Sequence, residues 1–173
     1  MDAFRQFTER FPTLETERDF SFAMHTCIGS GGKAALAVSP SNTEEAAECL
    51  NFLERNGIPH CFLGAGANVL PRDGRYEGVV VRFNRMKKLV LGERLYAGAG
   101  VTGGELLAFA EKNSVTGFEP FAGIPTTVGG GVAMNAGIAE RHFSDLVISV
   151  TAYKDGIVTV SYTHHLEHET EAD

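Results

Sequence analysis

The sequence contains no tryptophan and only three cysteines, Cys27, Cys49 and Cys61, in 173 residues. An odd number of cysteines without a C-x-x-C pair argues against a disulfide framework or a zinc site. It favours buried free thiols in a reducing compartment. Basic residues are also scarce: 15 Lys and Arg face 22 Asp and Glu, for a net charge of −7. No basic run is long enough to follow a phosphate backbone, which argues against nucleic acid as a partner. The short cluster Arg82, Arg85, Lys87 and Lys88 reads as the cap of a strand end. No stretch approaches the roughly 18 apolar residues of a membrane span. The leading MDAFRQFTERFPTLETERDF is interrupted by charge every few residues, unlike an export signal. The expectation is a cytoplasmic monomer without membrane or nucleic-acid partner.

Glycine, by contrast, is abundant. There are 20 in 173 residues, well above the usual share of about 7%. They follow no collagen-like period and sit among Val, Ala and Leu, so they do not mark a disordered linker. With 43% hydrophobic residues the chain can bury a core.

Along the chain, residues 1–19 read as an amphipathic helix or arm. Lys33 to Val38 reads as a strand. Ser41-x-x-Glu44 has capping-box spacing ahead of a helical stripe at Ala46, Ala47, Leu50 and Leu53. Gly57 and Pro59 end that helix, and Cys61–Leu63 and Gly78–Phe83 read as buried strands, giving a parallel βαβ unit. Beyond a boundary near Arg85, Lys88–Leu91 and Arg94–Ala99 read as strands. Thr102-x-x-Glu105 caps a second helix, and Leu146–Tyr153 with Ile157–Val160 reads as a hairpin around Asp155-Gly156.

Three glycine loops interrupt these elements. Gly64-Ala65-Gly66-Ala67-Asn68-Val69-Leu70 follows a parallel strand, where backbone can approach a ligand and ligands of α/β sheets collect. Asn68 could brace the loop or donate to a phosphate oxygen. Gly98-Ala-Gly-Val-Thr-Gly103 spells G-x-G-x-x-G with Glu119 about 20 residues on. Glu119 belongs to a Gly117-Phe-Glu-Pro turn, however, so Thr102 is read as a plain helix cap. The third runs from Ala122 to Gly137 and is the informative one. Pro125 stiffens its start, Gly129, Gly130 and Gly131 let backbone lie against a flat or charged ligand, and Gly137 suits a positive-φ stop after Asn135. So many small residues beside a buried Val/Met pair fit a pocket for a large ligand.

Taken together, G-I-P-T-T-V-G-G-G-V-A-M-N-A-G at 123–137, G-A-G-A-N-V-L at 64–70 and A-G-A-G-V at 97–101 resemble the UDP-N-acetylenolpyruvoylglucosamine reductase (UDP-N-acetylmuramate dehydrogenase) family. His25-Thr-Cys-Ile-Gly-Ser-Gly-Gly-Lys-Ala34 and Ser144-Asp-Leu146 extend the likeness. The resemblance implies an α+β class, two-lobed FAD-binding domain of the vanillyl-alcohol oxidase/p-cresol methylhydroxylase type. It places lobe one at 20–85, lobe two at 86–162 and an acidic tail without family counterpart at 163–173. It implies FAD as bound cofactor, NADPH as co-substrate, a UDP-sugar substrate and a place in peptidoglycan synthesis, and hence in cell wall biogenesis, cell shape and cell division. The alternatives are a non-catalytic flavin-binding module or another oxidoreductase of the same flavoprotein superfamily.

The resemblance further gives Gly64, Ala65, Gly66, Ala67, Asn68 and Val69 to the cofactor from one side. It gives Gly123, Ile124, Pro125, Thr127, Val128, Gly129 and Gly130 from the other, with Asn135, Ala136 and Gly137 closing the block. Two amide clusters, one per lobe, can clamp a diphosphate with little help from Arg or Lys. Departures from the family pattern are Thr126 in place of Gly, Ala67 in place of Ser, and Gly103 where many members carry Trp. After Val160 the pattern stops, and Tyr162 is followed by Thr rather than Arg. No catalytic residue is assigned, the substrate-binding third domain has no counterpart, and this chain alone is expected to be incomplete for catalysis. His164, His165 and His168, with Glu167 and Glu169, read as a surface segment rather than a metal site.

Overall fold

The structure is a computed structural model and describes residues 3–154 and 156–161. The tail histidines, Tyr162 and Asp155 of the expected hairpin turn lie outside the described residues. In chain order the first elements are α1 (Ala3–Arg10), β1 (Glu15–Ser21), α2 (Phe22–His25), β2 (Lys33–Ser39), α3 (Thr43–Arg55), β3 (His60–Phe62) and β4 (Arg75–Val81). β5 (Leu89–Leu91), β6 (Leu95–Ala97), α4 (Gly103–Lys112) and α5 (Val128–Ala133) follow, and then β7 (Gly137–Ile138), β8 (Arg141–His142), β9 (Ser149–Tyr153) and β10 (Ile157–Ser161).

The first seven elements build one sheet of order β1-β2-β4-β3. β2, β4 and β3 run parallel, and β1 lies antiparallel along the outer edge of β2. The β2-α3-β3 crossover thus leaves a gap that β4 fills. The arm expected over 1–19 is helical only at Ala3–Arg10, and Glu15–Ser21 is a strand. Its residues ETERDFS bury only Phe20, so neither a period-2 pattern nor an apolar run marks it. An edge strand half bathed in water can be this polar.

Side-chain alternation divides the core across the sheet. Leu36, Val38, Val79 and Val81 meet Cys49, Leu50 and Leu53 of α3 and Phe7 and Phe11 at the N-terminus. On the other face Ala37 and Val80 join Phe20, Phe22 and Leu63. Phe7, Phe11 and Phe52 form a mutually packed ring cluster with centroids 4.9–5.7 Å apart. The cap of α3 sits one residue later than expected: Asn42 Oδ1 accepts from Glu45 N at 2.8 Å, while the Ser41 hydroxyl donates to Glu45. Both registers offer an S/N-x-x-E spacing, and the amide side chain wins the cap. Gly57 has φ +58, as a helix stop requires. Phe62, expected to be buried, is 56% exposed and stacks on Phe83.

After β4 the chain turns through Arg82–Lys88 into the β5–β6 hairpin and then α4. The Thr102–Glu105 capping box is present in full. An isolated bridge joins Thr102 to Thr127, tying the start of α4 to the start of α5. β9 and β10 form the expected antiparallel hairpin.

Candidate functional site

The parallel strands β2, β3 and β4 end on the same side, and the first glycine loop leaves β3 there. Leu63 N still bonds Val81 O at 3.1 Å, and the chain then breaks away at Gly64. A Cβ on Gly64 would sit 2.8 Å from Thr127 Oγ1 and 3.8 Å from the Cα of Gly130. Gly66 has φ +70, and a Cβ there would lie 2.3 Å from His25 O, so both glycines are required by close packing. Cys27 N donates to Gly66 O at 3.0 Å. Among the described residues, no backbone hydrogen bond outside helices and strands uses the amides of Gly64, Ala65, Gly66 or Ala67 as donors. Ala67, Asn68 and Val69 are exposed beyond them.

The third glycine loop differs from expectation in its amides. Val128 N bonds Val101 O at 2.8 Å and Gly129 N bonds Ala99 O at 2.9 Å. Gly130 N is capped by Thr127 Oγ1 at 3.2 Å, and Gly131 N bonds Thr127 O at 2.7 Å. These four donors are satisfied within the chain, whereas no backbone hydrogen bond outside helices and strands uses Gly123 N, Thr126 N or Thr127 N among the described residues. The consecutive glycines also divide their work. A Cβ on Gly129 would lie 2.9 Å from Ala99 Cβ, and one on Gly131 would lie 2.6 Å from the Phe143 ring. Only Gly130 of the three faces the first loop. Thr126 stays out of the positive-φ region, as a β-branched residue must. Gly123 takes φ +83 with open space around it, ahead of Ile124 and Pro125.

The end of the block serves another purpose than expected. The positive φ falls on Asn135 (+42) and not on Gly137. A Cβ on Gly137 would lie 2.4 Å from Arg141 O. Asn135 Oδ1 accepts from Ser144 N at 3.0 Å, and Ala136 O accepts from Phe143 N at 2.9 Å. Asn135, Ala136 and Gly137 therefore fasten the 141–145 segment and do not line the cleft described next.

That cleft, about 380 Å³, brings together Gly64, Ala65 and Thr127 with Met24–Cys27, Gly100 and Thr102. Arg82, Asn84 and Lys87 complete it. The expectation that the basic cluster only caps a strand is thus corrected for Arg82 and Lys87. Arg85 pairs instead with Glu15 at 3.4 Å, and Lys88 lies 5.9 Å from the Tyr96 ring centroid. The signal available in the sequence was position: Arg82 and Asn84 sit two residues apart, directly after a parallel strand. Cys27 is exposed, against the expectation of buried thiols, whereas Cys49 is buried and Cys61 half-buried. Burial, reinforced by Glu45, pushes the Cys49 thiol up to about 12.

At the cleft rim Lys87 Nζ donates to Glu105 Oε1 at 2.6 Å. The other carboxylate oxygen accepts from Thr102 N at 2.8 Å. The Lys87 bond first, and then the Thr102 amide, hold the Glu105 carboxyl down at about 2. The Arg82 guanidinium lies 5.3 Å over the Phe20 ring. Its Nε and the Oδ1 of Asn84 are buried without a hydrogen-bond partner.

The G-x-G-x-x-G run does not form a phosphate loop. A Cβ on Gly98 would lie 2.3 Å from Met86 O, and one on Gly100 would lie 1.8 Å from Phe83 O. These glycines admit the neighbouring backbone, and Glu119 closes its own turn by accepting from Gly117 N at 2.7 Å. A second hollow of about 430 Å³, between the start of α3 and Arg85–Lys88, takes no residue from the first or third glycine loop. His25 stacks on Phe20 with ring centroids 4.4 Å apart, and His60 Nδ1 contacts Ile58 O at 3.1 Å, both structural roles. No group of three or more His, Cys, Asp or Glu able to hold a metal occurs among the described residues. No helix among them is long and apolar enough to cross a membrane.

Comparison with known proteins decides what family this cleft belongs to. The model of a family described as FAD binding domain matches residues 34–160, which includes both the Gly64 and the Gly123–Gly137 loops. The chain belongs to the FAD binding domain family. Its relatives include a UDP-N-acetylenolpyruvoylglucosamine reductase of Geobacter metallireducens, 38% identical over 144 residues, or 82% of this chain and 48% of that one. The Geobacter sulfurreducens protein of the same name is 42% identical over 125 residues, 71% of this chain and 42% of that one. The chain thus spans about half the length of the curated relatives it matches.

Among solved structures, the UDP-N-acetylenolpyruvylglucosamine reductase of Thermus caldophilus superposes with TM-score 0.72 at 25% identity, covering 86% of this chain and 53% of that one. An alkyldihydroxyacetonephosphate synthase superposes with TM-score 0.70 at 18% identity, covering 95% of this chain and 39% of that one. The latter likeness is one of fold alone. The resemblance to the reductases and the vanillyl-alcohol oxidase-type fold are both upheld. Two features of the chain are compatible with a dinucleotide at this place: the Gly64–Ala67 amides, unused by other backbone outside helices and strands, and a loop pair that a single Cβ would wedge apart.

Proposed function

We propose that this FAD binding domain supplies the cofactor-holding part of a UDP-N-acetylenolpyruvoylglucosamine reductase in peptidoglycan synthesis. The observation that carries the reading is the meeting of Gly64 with Thr127 beside a cleft into which Arg82 and Asn84 reach from the end of β4. Residues 20–85 and 86–162 act as the two lobes, with β1 added to the first. The amides of Gly64–Ala67 hold the diphosphate, helped by Asn68 and Val69. Gly123, Ile124, Pro125 and Thr127 approach the cofactor from the other side, and Val128, Gly129 and Gly130 set the closeness of that approach.

Hydride transfer from NADPH to an enolpyruvyl double bond is the chemistry that FAD supplies when bound. The task of this chain is to bind and orient it. The few charged groups at the cleft suit this, since Lys87 is held by Glu105 and backbone donors take the anionic diphosphate. The UDP-sugar substrate and NADPH belong to the whole enzyme, which works in the cytoplasm.

Adding FAD to the purified chain, then NADPH, then the enolpyruvyl UDP-sugar tests the reading in steps. Flavin absorbance retained through gel filtration would establish the cofactor-holding role, and bleaching by NADPH with reoxidation by the UDP-sugar would show turnover by this chain as well. Retained flavin with no bleaching would make the chain a flavin-binding module without turnover of its own. A chain that stays colourless would overturn the reading.

A further inference from the structure

The segment from α2 to β2 reverses the usual division between inside and outside. Thr26 is buried, with its hydroxyl donating to Phe22 O at 3.0 Å, while Met24 is 82% exposed and Ile28 58%. A polar side chain held inside between two large apolar ones in water opposes the hydrophobic effect, and such a reversal is informative. Looseness of the chain does not cause it. The segment is strapped along the first glycine loop at both ends: Cys27 N donates to Gly66 O at 3.0 Å, and Gly32 N to Arg72 O at 3.0 Å. A Cβ on Gly31 would lie 2.6 Å from the Cβ of Pro71. Between these rungs the two stretches run side by side, so Ile28 lies along the stretch that carries Leu70, itself 76% exposed. This apolar rim adjoins the cleft, where Met24 and Cys27 meet Gly64 and Ala65. Large apolar side chains gathered in water on a fixed backbone mark an interaction surface.

Resting on the FAD reading above, we propose that the Met24–Ile28–Leu70 rim is the docking surface for the substrate-holding polypeptide, the half of the reductase relatives that this chain does not match. Three points choose that occupant. The chain covers 48% of the Geobacter metallireducens reductase, so a polypeptide of comparable length has no counterpart here. Hydride transfer needs the reacting atoms within about 3–3.5 Å of one another. Whatever holds the UDP-sugar must therefore come up to the cleft that holds the flavin, and the rim is what it meets there. Ile28 and Leu70, finally, stand outside the cleft lining, so a cofactor seated in the cleft leaves them to a second body. A second copy of this chain fits the rim less well, since two molecules of net charge −7 repel one another. The partner's matching face is apolar at its centre, with its charges kept to the edge.

The test co-expresses the full chain, carrying an affinity tag, with the part of the Geobacter metallireducens reductase that this chain leaves unmatched. Wild type is compared with Ile28→Glu and Leu70→Glu, and flavin retention and thermal unfolding are recorded for each. Wild type is expected to recover the reductase polypeptide, and each variant at least tenfold less of it, because a carboxylate buried in an apolar contact is left unpaired. Both variants are expected to retain flavin and to unfold within a few degrees of wild type. Should a glutamate variant not fold, Ile28→Ser or Leu70→Ser replaces it, with the same readouts. Equal recovery by wild type and variants would overturn the proposal, as would a wild type that recovers none. A wild-type dimer that Leu70→Glu splits would overturn it in favour of a second copy, and flavin lost from the variants would make the rim a cofactor contact instead. A wild type that retains no flavin, yet recovers the polypeptide through Ile28 and Leu70, would overturn the FAD reading and uphold the docking surface.

Discussion

Gly64 and Thr127, far apart in the chain, lie so close that a Cβ on the glycine would sit 2.8 Å from the threonine hydroxyl. That hydroxyl is already occupied, because it caps α5 by accepting from Gly130 N. The contact therefore links the exit of a parallel strand to the start of a glycine-built helix, with little room to give.

Replacing Gly64 by Ala should cost roughly 1–3 kcal/mol of stability, the usual penalty for overpacking. In the double variant with Thr127→Ala the two effects should not add, since the clash disappears with the hydroxyl. Chemical denaturation of the four proteins measures the coupling. Strict additivity would mean that the loops do not press on one another.

Gly100 of the G-x-G-x-x-G run and Gly104 just beyond it give opposite expectations. Gly100→Ala would bring a Cβ to 1.8 Å from a backbone oxygen and should cost about 3 kcal/mol or more, or prevent folding. Gly104 lies within α4 with nothing within 4 Å of a Cβ and no positive φ. Gly104→Ala should raise stability by about 0.5–1 kcal/mol. Melting temperatures of the two variants should move in opposite directions.

Glu105 links pH to stability. Its carboxyl titrates at about 2 in the folded chain, below the 4.5 of the free group, because Lys87 and the Thr102 amide bond the ionised form. The stabilisation is complete above pH 4.5 and is lost as the pH falls towards 2. Glu105 and Lys87 side chains are 43% and 46% exposed, so solvent screening limits the ion pair to about 1 kcal/mol or less. Glu105→Gln keeps a capping side chain and loses the charge. Its denaturation midpoint should vary less than wild type across this acid range.

The cysteines should react in a fixed order. Cys27 is exposed at the cleft and should be alkylated first. Cys49, buried with its thiol raised to about 12, should react only on unfolding. Cys61, half-buried and also raised by burial, should fall between them. Mass spectrometry of a time course at pH 8 checks the order, and FAD should slow Cys27 alone. Prompt labelling of Cys49 in the folded chain would contradict the core as described.

Much of this arrangement could be read from the amino-acid sequence, in the places where one residue type answers one local demand. Thr102-x-x-Glu105, Gly57 and the apolar stripe of α3 are of that kind, and each took the expected element. β1 escaped because an edge strand with one buried side chain has no pattern to show. The glycine block announced close approach without saying to what. Gly129 and Gly131 approach Ala99 and Phe143, contacts that exist only once α5 has docked. Arg82 and Lys87 were hidden for a related reason. A charged cluster looks alike whether it caps a strand or lines a cleft, and only the strand order β2-β4-β3 settles which.

The most direct test of the account is titration of the purified chain with FAD, followed by absorbance and calorimetry. The account predicts saturation at one FAD per chain and a loss of affinity of at least tenfold in Gly64→Ala. Absence of FAD binding by the folded wild-type chain would contradict it, as would binding that Gly64→Ala leaves unchanged.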